Sequence, residues 1–183
     1  MNKLNLSLVI GRFEPFHTSH KEIIDYALNT SSYCMVFLGS ASDKRTLKNP
    51  WLPNEREDMI RSCYSNLENG RLEFRAVTDY FGQNGLWKSD IMSHVNLVET
   101  TGTIGLIGCQ KDASSFYLTM FPEFEFRGVE PIDQINSTEI RKLYFNNQSG
   151  WDTDLHPNVR DYLLNFAKTD DFQQLKNQME NSK

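Results

Sequence analysis

Short apolar runs alternate with segments of helical spacing along most of this chain. The apolar runs that predict β-strands cover residues 6–10, 33–38, 72–77, 103–107 and 124–129. In the segment that follows the first run, Ile24, Ala27 and Leu28 fall on one face of a helix predicted over about 18–28. This alternation predicts parallel strands that are joined by crossover helices.

Further helical segments fix the predicted fold class. Pro53 precedes a run that starts with acidic residues and carries apolar positions at helical spacing as far as Leu67. Helices are also predicted over 86–98 and from about 137 and 157, whereas the last dozen residues are weakly amphipathic and are expected to fray. The order predicts an α/β fold, a doubly wound open parallel sheet with C-terminal helices. In such sheets ligands bind at the carboxyl ends of the strands.

The length of 183 residues suits one domain, with a core over about 5–145 and a C-terminal helical part over about 150–180. The N-terminal apolar run is short and is interrupted by Gly11 and Arg12, which predicts neither a signal peptide nor a membrane span. We therefore expect no membrane partner and a cytoplasmic location.

Charge and cysteine content exclude other classes of protein. The net charge of −5 disfavours a broad nucleic-acid surface, because such surfaces neutralise many phosphates with Lys and Arg. Cys34, Cys63 and Cys109 are widely separated and form no C-x-x-C pair, which argues against disulfides and a structural zinc site. An anionic ligand would therefore need a local positive site.

The decapeptide GRFEPFHTSH, residues 11–20, directly follows the first predicted strand. Gly11 allows close backbone approach to a ligand, and the start of the next helix offers unpaired N–H groups to an anion. His17 and His20 are three residues apart and can present two imidazole donors to a bridging phosphate. Zinc usually needs an i, i+4 pair and a third ligand, so no protein-held metal is expected.

INSTEIR, residues 135–141, predicts a second phosphate-binding element. Ser137 and Thr138 can cap the helix N-terminus, and Arg141 lies on the same face one turn later. Ordinary capping and a solvated surface arginine would explain these residues without a ligand.

Two loops between these elements also follow predicted strands. GSASDKRTLKNPW, residues 39–51, carries Arg45 and two lysines, which supply positive charge to phosphates or are simply solvated. In TDYFGQNGLW, residues 78–87, Trp87 can stack on a flat cationic ring, Asn84 can bond a carboxamide, and Asp79 can accept a ribose hydroxyl. A polar turn followed by a core tryptophan is the simpler interpretation of the second loop.

The first motif resembles the H-x-G-H signature of the nucleotidyltransferase superfamily, in the GRFQPFH-x-G-H form typical of archaeal nicotinamide mononucleotide (NMN) adenylyltransferases. Glu14 replaces the usual Gln, and Ser19 replaces the glycine, where its side chain can crowd a nucleotide. INSTEIR resembles the I-S-x-T-x-x-R signature, which lies near the ATP β- and γ-phosphates. The 39–51 loop, the D-Y-x6-W segment and GCQKDASSFYLTMFP, residues 108–122, are similar to the adenylyltransferase domain of bifunctional NMN adenylyltransferase–Nudix proteins, although no Nudix box is present.

The resemblance implies a Rossmann-like nucleotidyltransferase fold that transfers AMP from ATP to NMN. The residues it places in catalysis are His17, His20, Arg12, Arg45 and Arg141. The residues it places at ATP are Gly11, Arg12, Phe13, His17, His20, Gly108, Lys111, Asp112, Ser137, Thr138 and Arg141, although Asp112 is equally explained as a helix cap. The residues it places at NMN are Arg45, Asp79, Asn84 and Trp87.

The expected mechanism is in-line attack by the NMN phosphate on the ATP α-phosphorus, with Mg2+ held mainly by ATP phosphates. Two other hypotheses remain. The acceptor can instead be nicotinate mononucleotide, phosphopantetheine or a phosphocholine-like alcohol phosphate, or the chain can be a nucleotide-sensing module without turnover. The resemblance is also compatible with a homo-oligomer.

Overall fold

The computed structural model describes residues 2–41, 44–98, 102–109, 117–130 and 135–180. The strands of this described part are β1 (Leu4–Gly11), β2 (Ser31–Leu38), β3 (Leu72–Ala76), β4 (Ile104–Gly108) and β5 (Glu125–Gly128). Its helices are α1 (Thr18–Thr30), α2 (Pro53–Arg61), α3 (Asn66–Asn69), α4 (Asn84–Asn96), α5 (Ser137–Phe145), α6 (Pro157–Phe166) and α7 (Asp170–Glu180).

The five strands form one sheet in the order β3-β2-β1-β4-β5, and every neighbouring pair is parallel. Val9 of β1 lies opposite Val36 of β2 on one side and Ile107 of β4 on the other. The chain therefore builds outward from β1 to β3 and then returns to add β4 beside β1. This reversal places the switch point, where ligands bind in such folds, between β1 and β4.

Apolar side chains are buried on both faces of the sheet, which confirms the predicted doubly wound arrangement. Alternate residues of a strand point to opposite faces, so Val9 joins the cluster that contains Ile24 of α1, while Leu8 joins the cluster that contains Ile91 of α4. The first cluster also includes residues from α2, α5, α6 and α7.

The structure corrects two sequence predictions about helices. The apolar pattern predicted one helix through Leu67, but α2 ends at Arg61 and a separate turn, α3, follows. Ser65 starts this turn because its hydroxyl accepts the N–H of Glu68 while the Glu68 carboxylate accepts the N–H of Ser65. The C-terminal segment was expected to fray, yet α7 buries Phe172 and Leu175 in the main core.

Within the described ranges, the helices are too short or too polar to span a bilayer.

Candidate active site

A cavity of about 520 Å³ opens at the switch point, above the carboxyl ends of β1, β2 and β4. Its walls also include the start of α1 and the segment between β3 and α4. Eight of the residues assigned to ATP or NMN from the sequence line it, namely Gly11, Arg12, Phe13, His20, Asp79, Asn84, Trp87 and Gly108. The sequence pattern thus identified residues from three separate segments that the fold brings to one place.

The loop between β1 and α1 has a tightly constrained backbone. Phe13 is buried and has a φ of 56°, in the left-handed region that side chains other than glycine rarely adopt. A Cβ on Gly11 would lie 2.8 Å from Cζ of the Phe13 ring, so the glycine makes room for this ring. Such strained backbone is found at many functional sites, where the surrounding structure enforces it.

The two histidines of the motif stack on each other, with ring centroids 3.6 Å apart and planes inclined by 19°. His20 lines the cavity and also meets the Phe13 ring edge to face. His17 is only 3% exposed and is not among the cavity-lining residues, so it lies behind His20. The structure thus places His20 nearer to a ligand in the cavity than His17.

Ser19, which stands where the resembling motif has glycine, is 4% exposed and borders the cavity. Its hydroxyl oxygen is buried and has no hydrogen-bond partner in the part of the chain that the structure describes. Because this oxygen is covered by protein, it does not project into the space where a nucleotide would lie.

A second cavity of about 420 Å³ is lined by Arg12, Lys48, Thr138, Arg141 and Lys142 together with apolar side chains. Arg12 borders both cavities, so the two spaces meet at its side chain. Arg141 is fixed by two donated hydrogen bonds, from Nη1 to the Glu14 carbonyl at 2.5 Å and from Nη2 to Thr138 Oγ1 at 3.2 Å. Burial lowers the pKa of Arg141, and the nearby Arg12 lowers it further.

The cap of α5 differs from the prediction. The N-cap is Asn136, whose side-chain oxygen accepts the N–H of Thr138 at 2.9 Å, rather than Ser137 or Thr138. Asparagine is among the preferred N-cap residues, and its oxygen reaches the N–H two residues ahead. The Thr138 hydroxyl instead accepts a hydrogen bond from Arg141, and Thr138 lines the second cavity. Ser137 lines neither cavity.

Arg45 lies outside the lining of both cavities. Its guanidinium pairs with Glu55 of α2, at 3.0 Å from Nη2 to Oε1, and with Asp171 of α7, at 2.9 Å from Nε to Oδ2. It also donates to the Pro50 carbonyl and lies over the Phe166 ring. Glu55 and Asp171 hold the pKa of Arg45 above its ordinary value. In this structure Arg45 therefore links the 39–51 loop to two helices and does not face the cavities.

The buried pair between Glu14 and Arg56 was not predicted. Both side chains are 1% exposed, and Oε1 of Glu14 lies 3.3 Å from Nε of Arg56. Burial raises the pKa of Glu14 to about 7, against the opposing effects of Arg56, the Trp51 N–H, Arg141 and Arg12. The one hint in the sequence was that Glu14 replaces the Gln that is usual in the GRFQPFH-x-G-H motif.

In the lining of the large cavity, the Trp87 ring makes an edge-to-face contact with Tyr117 and a tilted contact with Phe121, with centroids 6.2 and 6.0 Å away. These contacts hold the indole at the side of the cavity. Phe81, which the sequence analysis did not single out, also lines the cavity and is 90% exposed. Leaving a phenylalanine ring in water forgoes the free energy gained by burying it, so a ligand that covered Phe81 would recover that energy.

Lys111 and Asp112 lie outside the described residues, although Gly108 and Cys109, just before them, line the cavity.

Across the described ranges, no group of three or more His, Cys, Asp and Glu side chains is arranged to hold a metal ion. The second cavity has four cationic side chains, those of Arg12, Lys48, Arg141 and Lys142, which suit phosphate oxygens. A divalent cation can arrive as a complex with such phosphates.

The sequence of this chain is similar to one family profile and to two named adenylyltransferases. The cytidylyltransferase-like family profile matches residues 8–143. The nicotinamide/nicotinic acid mononucleotide adenylyltransferase of Acinetobacter baylyi is 35% identical over 147 residues, which cover 79% of this chain and 78% of that protein. The nicotinamide-nucleotide adenylyltransferase of Aeropyrum pernix is 29% identical over 162 residues, which cover 85% of this chain and 88% of that protein.

A solved structure with the same fold is the bifunctional NMN adenylyltransferase/ADP-ribose pyrophosphatase of Francisella tularensis, complexed with AMP and a manganese ion. It superposes with a TM-score of 0.86 at 27% identity and covers 97% of this chain. The chain spans 53% of the length of that bifunctional protein.

Proposed function

This chain belongs to the cytidylyltransferase-like family and, within it, to the nicotinamide-nucleotide adenylyltransferases, and we propose that it transfers AMP from ATP to NMN, giving NAD and pyrophosphate. The observation that carries the proposal is the position of Arg12 between the two cavities. A nucleotide in the large cavity would extend its phosphates past Arg12 toward Arg141, so the two cavities fit the two ends of one triphosphate substrate.

The acceptor is assigned from the wall that carries Trp87. An indole ring that is held in place by its neighbours suits stacking on the flat, cationic nicotinamide ring. Asp79 and Asn84 line the same cavity and supply groups for a ribose hydroxyl and a carboxamide. These side chains are the support for NMN as the acceptor.

The reaction needs no general base, because a phosphate monoester is already anionic at neutral pH. The NMN phosphate attacks the ATP α-phosphorus in line, and the bond from that phosphorus to the bridging oxygen of pyrophosphate breaks. Negative charge then builds on the departing pyrophosphate. We assign to His20, Arg12 and Arg141 the task of holding the reacting groups in place and stabilising this charge.

A divalent cation, which we take to be Mg2+, would neutralise phosphate charge while bound mainly to ATP oxygens. Arg12, Lys48, Arg141 and Lys142 in the second cavity can bind phosphate oxygens, which supports an ion that is carried by the substrate.

A pyrophosphate-release assay with ATP and Mg2+ tests the proposal, with NMN, nicotinate mononucleotide and phosphopantetheine compared as acceptors. We expect NAD and pyrophosphate in equal amounts with NMN. Nicotinate mononucleotide is the second candidate, because the A. baylyi relative is named for both ribotides. Turnover with phosphopantetheine alone would refute the assigned acceptor. ATP binding without turnover of any acceptor would refute the proposed enzymatic activity.

A further inference from the structure

The carboxyl group of Glu14 lies inside the loop that carries the first phosphate-binding motif. Its Oε2 accepts the backbone N–H of Trp51 at 3.2 Å, and its Oε1 faces the Arg56 guanidinium at 3.3 Å. Three arginines act on its charge, namely Arg56 from α2, Arg141 from α5 and Arg12 from its own loop. A buried carboxylate is costly, so this group is expected to have a specific role.

Arg56 connects Glu14 to the backbone of the cavity wall. Its Nη1 donates to the carbonyl of Arg12 at 2.6 Å and to the carbonyl of Gly39 at 2.7 Å. These two carbonyls follow the carboxyl ends of β1 and β2, where both residues line the large cavity. The orientation of Arg56 therefore fixes the backbone from which the Arg12 side chain extends.

Glu14 also contacts the second phosphate-facing arginine directly, because its own carbonyl accepts a hydrogen bond from Arg141. We propose that Glu14 is a positioning residue for the triphosphate of ATP, holding Arg12 through Arg56 and Arg141 through its carbonyl. This inference rests on the proposed function, in which both arginines bind ATP phosphates. The residue acts through the arginines and does not itself touch the substrate.

The ionisation of Glu14 gives this role a distinctive signature. Burial sets its pKa at about 7, and the positive charges of Arg56, Arg141 and Arg12 keep it from rising further. Asp79 and Glu55 act on the same network through Arg56. A triphosphate bound to Arg12 and Arg141 adds negative charge nearby, which raises the pKa of Glu14. Binding of ATP near pH 7 should therefore be accompanied by uptake of part of a proton.

The kinetic test compares Glu14→Ala with Glu14→Gln. The alanine variant leaves Arg56 without its partner, so we expect KM for ATP to rise about tenfold through misplaced phosphate-binding groups, with KM for NMN unchanged. Glutamine can still accept the Trp51 N–H, so this variant should keep a KM for ATP close to that of the wild type. Glu125→Ala is the control, because it removes the acid that pairs with buried Arg127 on β5, away from the cavities.

The second measurement is calorimetry of MgATP binding at pH 7 in buffers of different ionisation enthalpy. The wild type and Glu125→Ala should take up part of a proton on binding, and Glu14→Gln should take up measurably less. This comparison decides the matter even if Glu14→Ala does not fold.

A folded Glu14→Ala protein with a wild-type KM for ATP, or equal proton uptake in the wild type and Glu14→Gln, would overturn the positioning role. The proposed function fails separately, when the wild type releases no pyrophosphate with any acceptor.

Discussion

Arg141 of α5 and Glu14 of the first motif, 127 positions apart in sequence, are joined by a hydrogen bond from the guanidinium Nη1 to the backbone carbonyl. This bond fastens the start of α5 to the loop after β1. It brings a cation from the last third of the chain to the first motif, where we propose that both bind the phosphates of ATP.

Replacement of Arg141 with Lys tests this relationship while keeping the charge. Lysine cannot reproduce the two hydrogen bonds that Arg141 donates to Glu14 and Thr138, so its ammonium group will be less well placed. We expect kcat/KM for ATP to fall about a hundredfold. Arg160→Lys, at an exposed position of α6, is the control, and steady-state kinetics with saturating NMN provide the measurement.

His20→Ala should lower kcat by about 100- to 1000-fold, the usual loss when one donor to a developing negative charge is removed. The melting temperature should change little, because His20 borders a cavity and is only partly buried. His17→Ala should reduce stability more, since His17 is almost fully buried beneath His20. A folded His20→Ala enzyme with near-normal turnover would contradict the assigned role.

Phe81→Ala should raise KM for NMN several-fold and leave the free energy of unfolding nearly unchanged. The ring is exposed in this structure, so its removal costs little in the free protein but removes apolar contact from a ligand in the cavity. The matched control is Leu67→Ala on α3, where an 81% exposed side chain lies away from the cavity. Equal KM values for NMN in Phe81→Ala and the wild type would exclude a contact with the acceptor.

Glu14→Gln should become more stable relative to the wild type as the pH rises from 5 to 8. The pKa of Glu14 is raised from 4.5 to about 7 in the folded state, so protonation favours folding. That stabilisation is fully present below about pH 4.5 and is lost as the pH passes 7. The total change is on the order of 3 kcal/mol. Urea denaturation at several pH values measures it, and parallel stability curves for the two proteins would rule it out.

Ser19→Ala should stabilise the protein by about 1 kcal/mol, because it removes a buried hydroxyl that lacks a partner in the described part of the chain and improves helix propensity. KM for ATP should stay within about twofold, because the buried hydroxyl does not contact the nucleotide. Its removal should therefore cost less binding free energy than the loss of one hydrogen bond. A marked rise in KM would instead indicate that the hydroxyl turns to bind the nucleotide.

The sequence predicted the sheet and the location of the site better than the partners of individual charges. Periodicity gave the strand and helix order, and residues that follow parallel strands necessarily meet at one edge, which brought Arg12, Asp79 and Gly108 together. No local pattern specifies which carboxylate an arginine meets after folding. The pairing of Arg45 with Glu55 and Asp171, and that of Glu14 with Arg56, depends on distances set by tertiary packing.

The packing of α7 bears on where this enzyme can be cut for laboratory use. The family profile stops at residue 143, yet Phe145 stacks on Phe172, Tyr144 meets Phe172 edge to face, and Asp171 pairs with Arg45. A fragment trimmed to the profile would lose these rings, would uncover Trp51, which packs against Tyr144 and Phe145, and would remove Asp171 from Arg45. Expression boundaries should therefore extend through residue 180, although the residues beyond 143 contribute nothing to the lining of the large cavity.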